Sequence, residues 1–287
     1  MMLSECSSIN CAHAAEHISA VVKVVLFSYQ LVAIQHSYIA NGLEGTNGSL
    51  VVDLAKMKNI SVEPVTFNAI VETGNRLGDI VLTLNDAGRR LPHGQSTYIG
   101  IGGHSGFDGF GYSSRMWGLT LDNVLSATVV LADGSIVTAS EVEPRALLGS
   151  SASLGIAASI EFRTFAVPSE ATAFEYGWDV DIATASNALK VFQTWALSGD
   201  VPAEFGGELF YVKGSDTDEL NLLALGITTH VEVELYGGIG SSINKVSLDD
   251  TAFAHRNIAL HFPALASSPY LRTPAIVSVF LMACYSL

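Results

Sequence analysis

A glycine-rich segment spanning residues 98–124 is the part of this chain whose residue types could do chemistry. It reads YIGIGGHSGFDGFGYSSRMWGLTLDNV and holds seven glycines. Glycine permits positive φ and close approach of the backbone to a ligand, because it has no Cβ. Bulky residues such as Tyr98, Phe107 and Trp117 interrupt the glycines, so the segment is not a low-complexity linker. Two interpretations stay open: backbone packed against a nucleotide cofactor, or a glycine-rich structural turn.

Two common phosphate-binding motifs are excluded for this segment. The order of glycines is not a strand–GxGxxG–helix fingerprint, since no amphipathic helix pattern follows Gly103, and no Gly-Lys-Ser/Thr of a P-loop follows either. Each interior glycine costs a helix ~1 kcal/mol relative to alanine. We therefore expect a loop here rather than a helix.

Composition narrows the classes of partner. Of 287 residues, 49% are hydrophobic and 15% are charged, which argues against a disordered chain. The formal net charge of -14 argues against nucleic acid and anionic membrane surfaces as partners, since both need a basic footprint. The histidines are scattered, and Cys6, Cys11 and Cys284 lie at the two ends, so we expect no metal site.

The elements that must position the glycine segment form an irregular order of helices and strands. Periodicity predicts helices over 17–27, 76–87 and 182–195, and strands over 30–34, 50–54, 66–73, 124–131, 136–139, 159–165, 174–180, 203–212 and 229–236. Ala132-Asp133-Gly134-Ser135 is typical of a hairpin turn. The pattern indicates an α+β fold, with a change of unit near Pro168. The apolar run 275–284 is too short to span a bilayer, which needs ~20 residues.

Several long motifs, in one order, carry a resemblance to a known family. They include IQHSYIANGLEG, GNRLGDIVLTLNDAGRRLPHG, PHGQSTYIGIGGHSGFDGFGYSSRMWGLTLDNVLSATVVLADGSIV and GSSASLGIAASIEFRTF. The chain resembles the FAD-linked oxidases of the berberine-bridge-enzyme-like group, with a PCMH-type (vanillyl-alcohol-oxidase-like) FAD-binding domain. Fungal oligosaccharide oxidases are the most similar members. The match covers roughly residues 18–262, with gaps.

The resemblance implies an order of domains along the chain. A PCMH-type FAD-binding domain, incomplete at its N-terminus, is expected over residues 18–167. An incomplete α+β substrate domain with an antiparallel sheet would follow over 168–262. Residues 1–17 and 263–287 do not resemble the family and are interpreted as a divergent N-terminus and a divergent tail of an apparently truncated member.

The resemblance also implies how FAD is held. His36 stands where the family's loop histidine is bonded to the flavin, so a covalent link through His36 is expected, with Ser37 and Tyr38 along the cofactor. The amides of the glycine segment would face the pyrophosphate and the flavin. The remaining expected contacts are Gly100, Gly102, Gly103, His104, Gly109, Gly111, Asp122, Gly155 and Ile156.

Departures from the family matter as much as the matches. Ile34 and Gln35 replace the two glycines that precede the family's histidine, and Ser96 stands where many members link the flavin through a cysteine. A serine hydroxyl is a far weaker nucleophile than a thiolate, so at most one covalent link is expected. The family's C-terminal Asn-Tyr-x-Asp segment, which supplies catalytic tyrosine chemistry, has no counterpart here. No catalytic residue is therefore assigned.

The sequence is compatible with three functional hypotheses. The first is an FAD-dependent oxidase that oxidises a carbohydrate or other alcohol with O2. The second is a degenerate relative that binds FAD weakly or not at all. The third is a non-catalytic carbohydrate-binding protein that uses Trp178 or Trp195 as a stacking platform. The resemblance implies secretion, although the first thirty residues show no convincing signal peptide.

Overall fold

The structure is a computed structural model, and it describes residues 12–25, 30–34, 49–140, 155–213, 230–251, 253–261 and 277–286. The chain divides into two units. Unit 1 comprises residues 1–111, 119–167 and 247–254, and unit 2 comprises residues 112–118, 168–246 and 255–287. The glycine-rich segment is thus split, because its residues 112–118 belong to unit 2.

Unit 1 is built on a five-stranded antiparallel sheet of order β3-β4-β8-β6-β7. A parallel pair, β1-β2, and a short antiparallel pair, β5-β9, complete its strands among the described residues. Its elements are α1 (Ala15–Val25), β1 (Gln30–Ile34), β2 (Ser49–Asp53), β3 (Ile60–Val62), β4 (Ala69–Glu72), α2 (Leu77–Asp86), β5 (Arg89–Arg90), α3 (Ile101–Phe107), β6 (Val124–Leu131), β7 (Ile136–Ser140), β8 (Gly155–Phe162) and β9 (Phe165–Ala166).

Helix α1 packs on one side of this sheet and forms an apolar core with it. Ile18 and Val22, four residues apart on one face of the helix, are buried with Val130 of β6 and Ile156 of β8. The Ser19 hydroxyl donates to the Gly134 carbonyl in the β6–β7 turn at 2.5 Å. The predicted hairpin is confirmed, since β6 and β7 pair antiparallel and Gly134 takes the positive φ of 78° that its turn requires.

Unit 2 is a second antiparallel sheet of five strands, in the order β10-β14-β11-β12-β13. One long helix, α5, packs on one face through Phe192 and Ala196, which join a core with Leu209 and Val233. Asp181 caps this helix by accepting a hydrogen bond from Thr184 N at 2.7 Å. The elements are α4 (Ser114–Trp117), β10 (Ala171–Val180), α5 (Ile182–Leu197), β11 (Phe205–Lys213), β12 (His230–Leu235), β13 (Leu260–His261) and β14 (Val277–Ser286).

Two features differ from the sequence-based expectations. The prediction of a loop in the glycine segment is wrong, because residues Ile101–Phe107 form helix α3. Tertiary context offsets the poor propensity, because Ile101 N at the start of the helix donates to Asn75 O. Within the helix, the Ser105 hydroxyl donates back to Ile101 O. Strand β14, which no periodicity predicted, comes from the region interpreted as a divergent tail and occupies the middle of the unit 2 sheet between β10 and β11. No helix in the described ranges is long and apolar enough to cross a membrane.

Candidate functional site

The start of α3 presents backbone amides without side chains in front of them. Gly100 is the N-cap residue, and His104 N donates to Gly100 O at 3.1 Å, which closes the first helical turn. Gly102 and Gly103 stand in that first turn, where N–H groups lack acceptors within the helix. Such amides can bind an anion. Four of the residues predicted to contact FAD therefore lie together, Gly100 as the N-cap and Gly102, Gly103 and His104 in the helix itself.

Two histidines, His104 within this helix and His93 in the loop before it, are kept neutral by burial. Gly94 N donates to His104 Nε2 at 2.9 Å, so Nε2 carries no proton and the other ring nitrogen, Nδ1, does. Burial, with a smaller contribution from the His93 charge, lowers the pKa of His104 to about 4. Burial also lowers the pKa of His93, whose Nδ1 lies 2.7 Å from Gly94 O. Near neutral pH this region adds no positive charge from its imidazoles.

The loop after α3 packs closely against His93 and Thr120. A Cβ at Gly111 would lie 1.8 Å from His93 O, and one at Gly109 would lie 2.4 Å from the Thr120 side chain. Gly109 also has a positive φ of 81°. These two glycines are required by the packing of the chain against itself, whatever they do for a ligand.

Thr120 joins the two loops that flank α3. Its hydroxyl lies 2.7 Å from Pro92 O and 2.9 Å from Gly109 O. The structure therefore brings His104, Gly109 and Gly111 together with His93, Gly94 and Thr120, three residues that were not predicted as site residues. The Pro-His-Gly triplet at 92–94, directly before the glycine segment, was the available signal for two of them.

The other predicted contacts lie elsewhere in unit 1 or outside the described residues. Asp122 Oδ2 accepts a hydrogen bond from Leu119 N at 2.9 Å and so shapes the turn before β6. Gly155 and Ile156 lie on β8, where a Cβ at Gly155 would meet Val130 O at 2.6 Å and Ile156 is part of the α1 core. His36, Ser37 and Tyr38 are outside the described residues.

A second group of ionisable side chains occupies one face of the unit 2 sheet. Glu208 and Glu234 are cross-strand partners, on the face opposite the apolar residues that pack against α5. Tyr112 Oη donates to Glu208 Oε1, and Glu208 is 1% exposed. Glu234 Oε2 lies 2.6 Å from Nδ1 of His261. Alternation in the strand sequences could have located these carboxylates, but not their partners.

Within unit 2, Arg115 anchors the segment that continues the glycine stretch. It is 1% exposed, and its guanidinium donates to four backbone carbonyls of Val201, Pro202, Phe205 and Gly237 at 2.7–3.3 Å. Burial lowers the pKa of Arg115 from its ordinary value, against a smaller opposing effect of Glu204. From this buried position, Arg115 holds these backbone segments together. In the ranges that the structure covers, no group of His, Cys, Asp and Glu is placed to hold a metal ion.

Comparison with known proteins gives the class of this fold and site. Residues 9–140 match the family described as FAD binding domain. The match begins inside the region interpreted as a divergent N-terminus. A variant of BBE-like 1 from Physcomitrella patens has the same fold at a TM-score of 0.74, with 23% sequence identity over 96% of this chain and 75% of that one. The chain therefore has the α+β fold of the PCMH-type FAD-binding proteins, and it resembles the FAD-linked oxidoreductases.

Closer relatives specify the group within that class. Xylooligosaccharide oxidase from Thermothelomyces thermophilus is 39% identical over 217 residues, which are 72% of this chain and 40% of the relative. A solved structure of xylooligosaccharide oxidase from Myceliophthora thermophila C1 in complex with xylobiose has a TM-score of 0.74 at 24% identity, over 96% of this chain and 75% of that one. The chain is a relative of the FAD-linked oligosaccharide oxidases, and it spans about 40% of the length of the first of these relatives.

Proposed function

We propose that this chain is an FAD-dependent oxidase that oxidises a carbohydrate, or a similar alcohol, with O2 as the acceptor. The observation that carries the proposal is the amide-bearing start of α3, a helix that contains one neutral histidine and is preceded by another, inside a matched FAD-binding domain. FAD, when bound, would supply the hydride chemistry of this reaction, in which the sugar alcohol loses a hydride and a proton and O2 takes up both to form hydrogen peroxide. Residues 18–167 would be the flavin domain, and residues 168–262 part of a substrate domain.

The donor set around α3 fits the diphosphate of FAD. Residues 98–107 contain no acidic side chain, and the amides of Gly102 and Gly103 stand at the positive end of a helix. The first carboxylate that follows, Asp108, directs its Oδ1 to Gly109 N. Gly100, Gly102, Gly103 and His104 are therefore proposed to hold the cofactor's phosphates. Gly109, Gly111, Asp122, Gly155 and Ile156 remain proposed contacts that also have structural roles.

One covalent link to the flavin, through His36, is part of the proposal. Ser37 and Tyr38 would extend along the cofactor from that link. A second link is not expected, because Ser96 is an exposed loop residue with a hydroxyl where the family uses a thiol. The support for this step is the resemblance of IQHSYIANGLEG to the family's attachment loop.

The polar face of the unit 2 sheet supports a sugar as the substrate. Its phenol, carboxylates and imidazole are the hydrogen-bonding groups that sugar hydroxyls need. Tyr112 and Glu208 are hydrogen-bonded to each other, and Glu234 orients His261. The contact fixes the orientation of the imidazole ring, which suits a group that exchanges protons with a hydroxyl.

The first test is a visible absorption spectrum of the purified chain before and after acid precipitation, on wild type and His36→Ala. Flavin absorbance that stays with the wild-type pellet and leaves the variant pellet is the expected result. Flavin lost from both would refute attachment at His36 but not binding. A peroxide-coupled oxidase screen on neutral oligosaccharides then tests the reaction.

A colourless chain would decide between the alternatives. If neither protein carries flavin, even after refolding with FAD, the oxidase proposal fails and the degenerate-relative hypothesis is favoured.

A matched variant separates binding from attachment: Gly103→Asp places a carboxylate at the proposed phosphate site and is expected to abolish flavin uptake. Gly88→Asp adds the same charge beyond α2, in open space, and serves as its control.

A further inference from the structure

An exposed aromatic ladder follows strand β10 in unit 2. The ladder consists of Phe174, Tyr176 and Trp178, which alternate along the strand and so share one face of the sheet. The Tyr176 and Trp178 rings are nearly parallel, with 19° between their planes and centroids 6.0 Å apart. Tyr176 is 57% exposed and Trp178 is 49% exposed. Two large neighbouring aromatic residues with half of their surface in water form an exposed apolar patch of the kind that marks a binding site.

Alternation along β10 places this ladder on the face that carries α5. Val180, two residues after Trp178 and so on the same face of the strand, packs against the unit 2 core that includes Phe192 and Ala196 of α5. Leu209 is buried under α5 in the unit 2 core. The ladder therefore lies on the opposite face of the sheet from Glu208 and Glu234, and it does not belong to the polar group described above.

The inner end of the ladder is held in place by packing. The Phe174 ring contacts both the Tyr176 ring at 5.6 Å and the Phe205 ring at 6.3 Å. Phe205 in turn meets Trp195 of α5 edge to face at 5.0 Å. Trp195 thus belongs to the core, whereas the Tyr176 and Trp178 rings are supported from one side and open on the other. A platform that is ordered before binding loses little entropy when a ligand arrives.

The surroundings of the ladder favour a neutral ligand rich in hydroxyl groups. Residues 171–197 contain one cation, Lys190, and three carboxylates, in a chain of net charge -14, which disfavours polyanions and anionic membranes. Tyr and Trp each combine an apolar ring with a hydrogen-bond donor. A pyranose ring has the matching surface, an apolar C–H face with a hydroxyl rim.

We propose that Tyr176 and Trp178 form a second carbohydrate-binding site, which takes a neutral oligosaccharide chain on the α5 side of the unit 2 sheet. This site goes beyond the oxidase reaction and needs neither flavin nor turnover. Its effect would be to hold a neutral oligosaccharide on this face of the sheet, away from the polar group around Glu208 and Glu234.

The test is calorimetric titration of the full-length chain with cellohexaose and xylohexaose, and with hexagalacturonate as an anionic comparison. Wild type is expected to bind the neutral chains and not the anionic one. Trp178→Ala and Tyr176→Ala should each weaken binding about tenfold, since each removes a stacking ring. Tyr176→Phe, which keeps the ring, should retain most of the affinity. Ile239→Ala removes an exposed apolar residue in the loop after β12 and should change nothing.

A second measurement covers the case in which a ring-deletion variant fails to fold. Hydroxyl-radical footprinting of the wild-type chain should show protection of Tyr176 and Trp178 when xylohexaose is added. Absence of neutral-sugar binding, equal binding of hexagalacturonate, wild-type affinity in both alanine variants, or no footprint at the two rings would each overturn the proposal. Because binding is read without flavin or peroxide, failure of the oxidase proposal would leave this result independent.

Discussion

Lowering the pH should reduce the folding free energy of unit 1, because one buried residue, His104, becomes protonated when the chain unfolds. In the folded chain its Nε2 accepts a hydrogen bond from Gly94 N, and a proton on Nε2 would turn this contact into two opposed donors. Burial lowers the pKa of His104 from 6.5 to about 4. The unfolded chain therefore binds a proton at this histidine between these two values while the folded chain does not. Stability from the neutral imidazole is complete above pH 6.5 and is lost as the pH falls toward 4.

The magnitude follows from the two pKa values. Proton linkage between pH 7.5 and pH 5 gives ~2 kcal/mol of lost folding free energy for His104 alone, an order-of-magnitude figure. His104→Gln keeps a hydrogen-bond acceptor for Gly94 N but does not titrate. Wild type should therefore lose ~2 kcal/mol more than His104→Gln over this pH range. His93→Gln should also make the folding free energy depend less steeply on pH, because burial lowers the pKa of His93 too.

Amide hydrogen exchange by mass spectrometry is the suitable assay, because it resolves unit 1 from unit 2. The three tryptophans, Trp117, Trp178 and Trp195, all lie in unit 2, so fluorescence would report the wrong unit. Exchange in peptides from β6 and β8 is compared between the two proteins at each pH, which cancels the pH dependence of intrinsic exchange. Parallel profiles for wild type and His104→Gln would refute the reasoning. Removal of the exposed His17 by His17→Gln is the matched control.

Three further predictions concern single positions. Gly111→Ala should destabilise unit 1 by ~2 kcal/mol or more in urea unfolding, since the new Cβ would lie 1.8 Å from His93 O. The control Gly88→Ala, in open space, should cost only ~1 kcal/mol of backbone strain. Equal losses of folding free energy in the two variants would contradict this prediction. Arg115→Met should lower the free energy of unfolding of unit 2 by ~3 kcal/mol or more, measured by tryptophan fluorescence, because buried carbonyls lose their hydrogen-bond donor. A loss below ~1 kcal/mol would disprove this role of Arg115. Ser96→Cys in a His36→Ala background should restore flavin to the acid pellet, and a colourless pellet would argue against this position as a second attachment point.

The sequence by itself determined the local elements and the class of protein. The β6–β7 hairpin follows from a four-residue turn with one glycine, and α2 ends before Gly88, which takes a φ of 67°. These predictions hold because the deciding interactions lie within a few residues along the chain. The ordered motifs around the glycine segment resemble those of the FAD-linked oxidases, and the family match and the relative of 39% identity confirm this resemblance.

Tertiary structure alone decided how those elements are used. Helix α3 exists despite its glycines because neighbouring backbone, such as Asn75 O, holds its first turn. Strand β14 has an apolar run whose conformation depends on two distant partners, β10 and β11. The division at Gly111 depends on contacts that Arg115 makes with residues about ninety or more positions away. Local propensity carries no information about partners at such separations, because only the folded chain brings them within hydrogen-bonding distance.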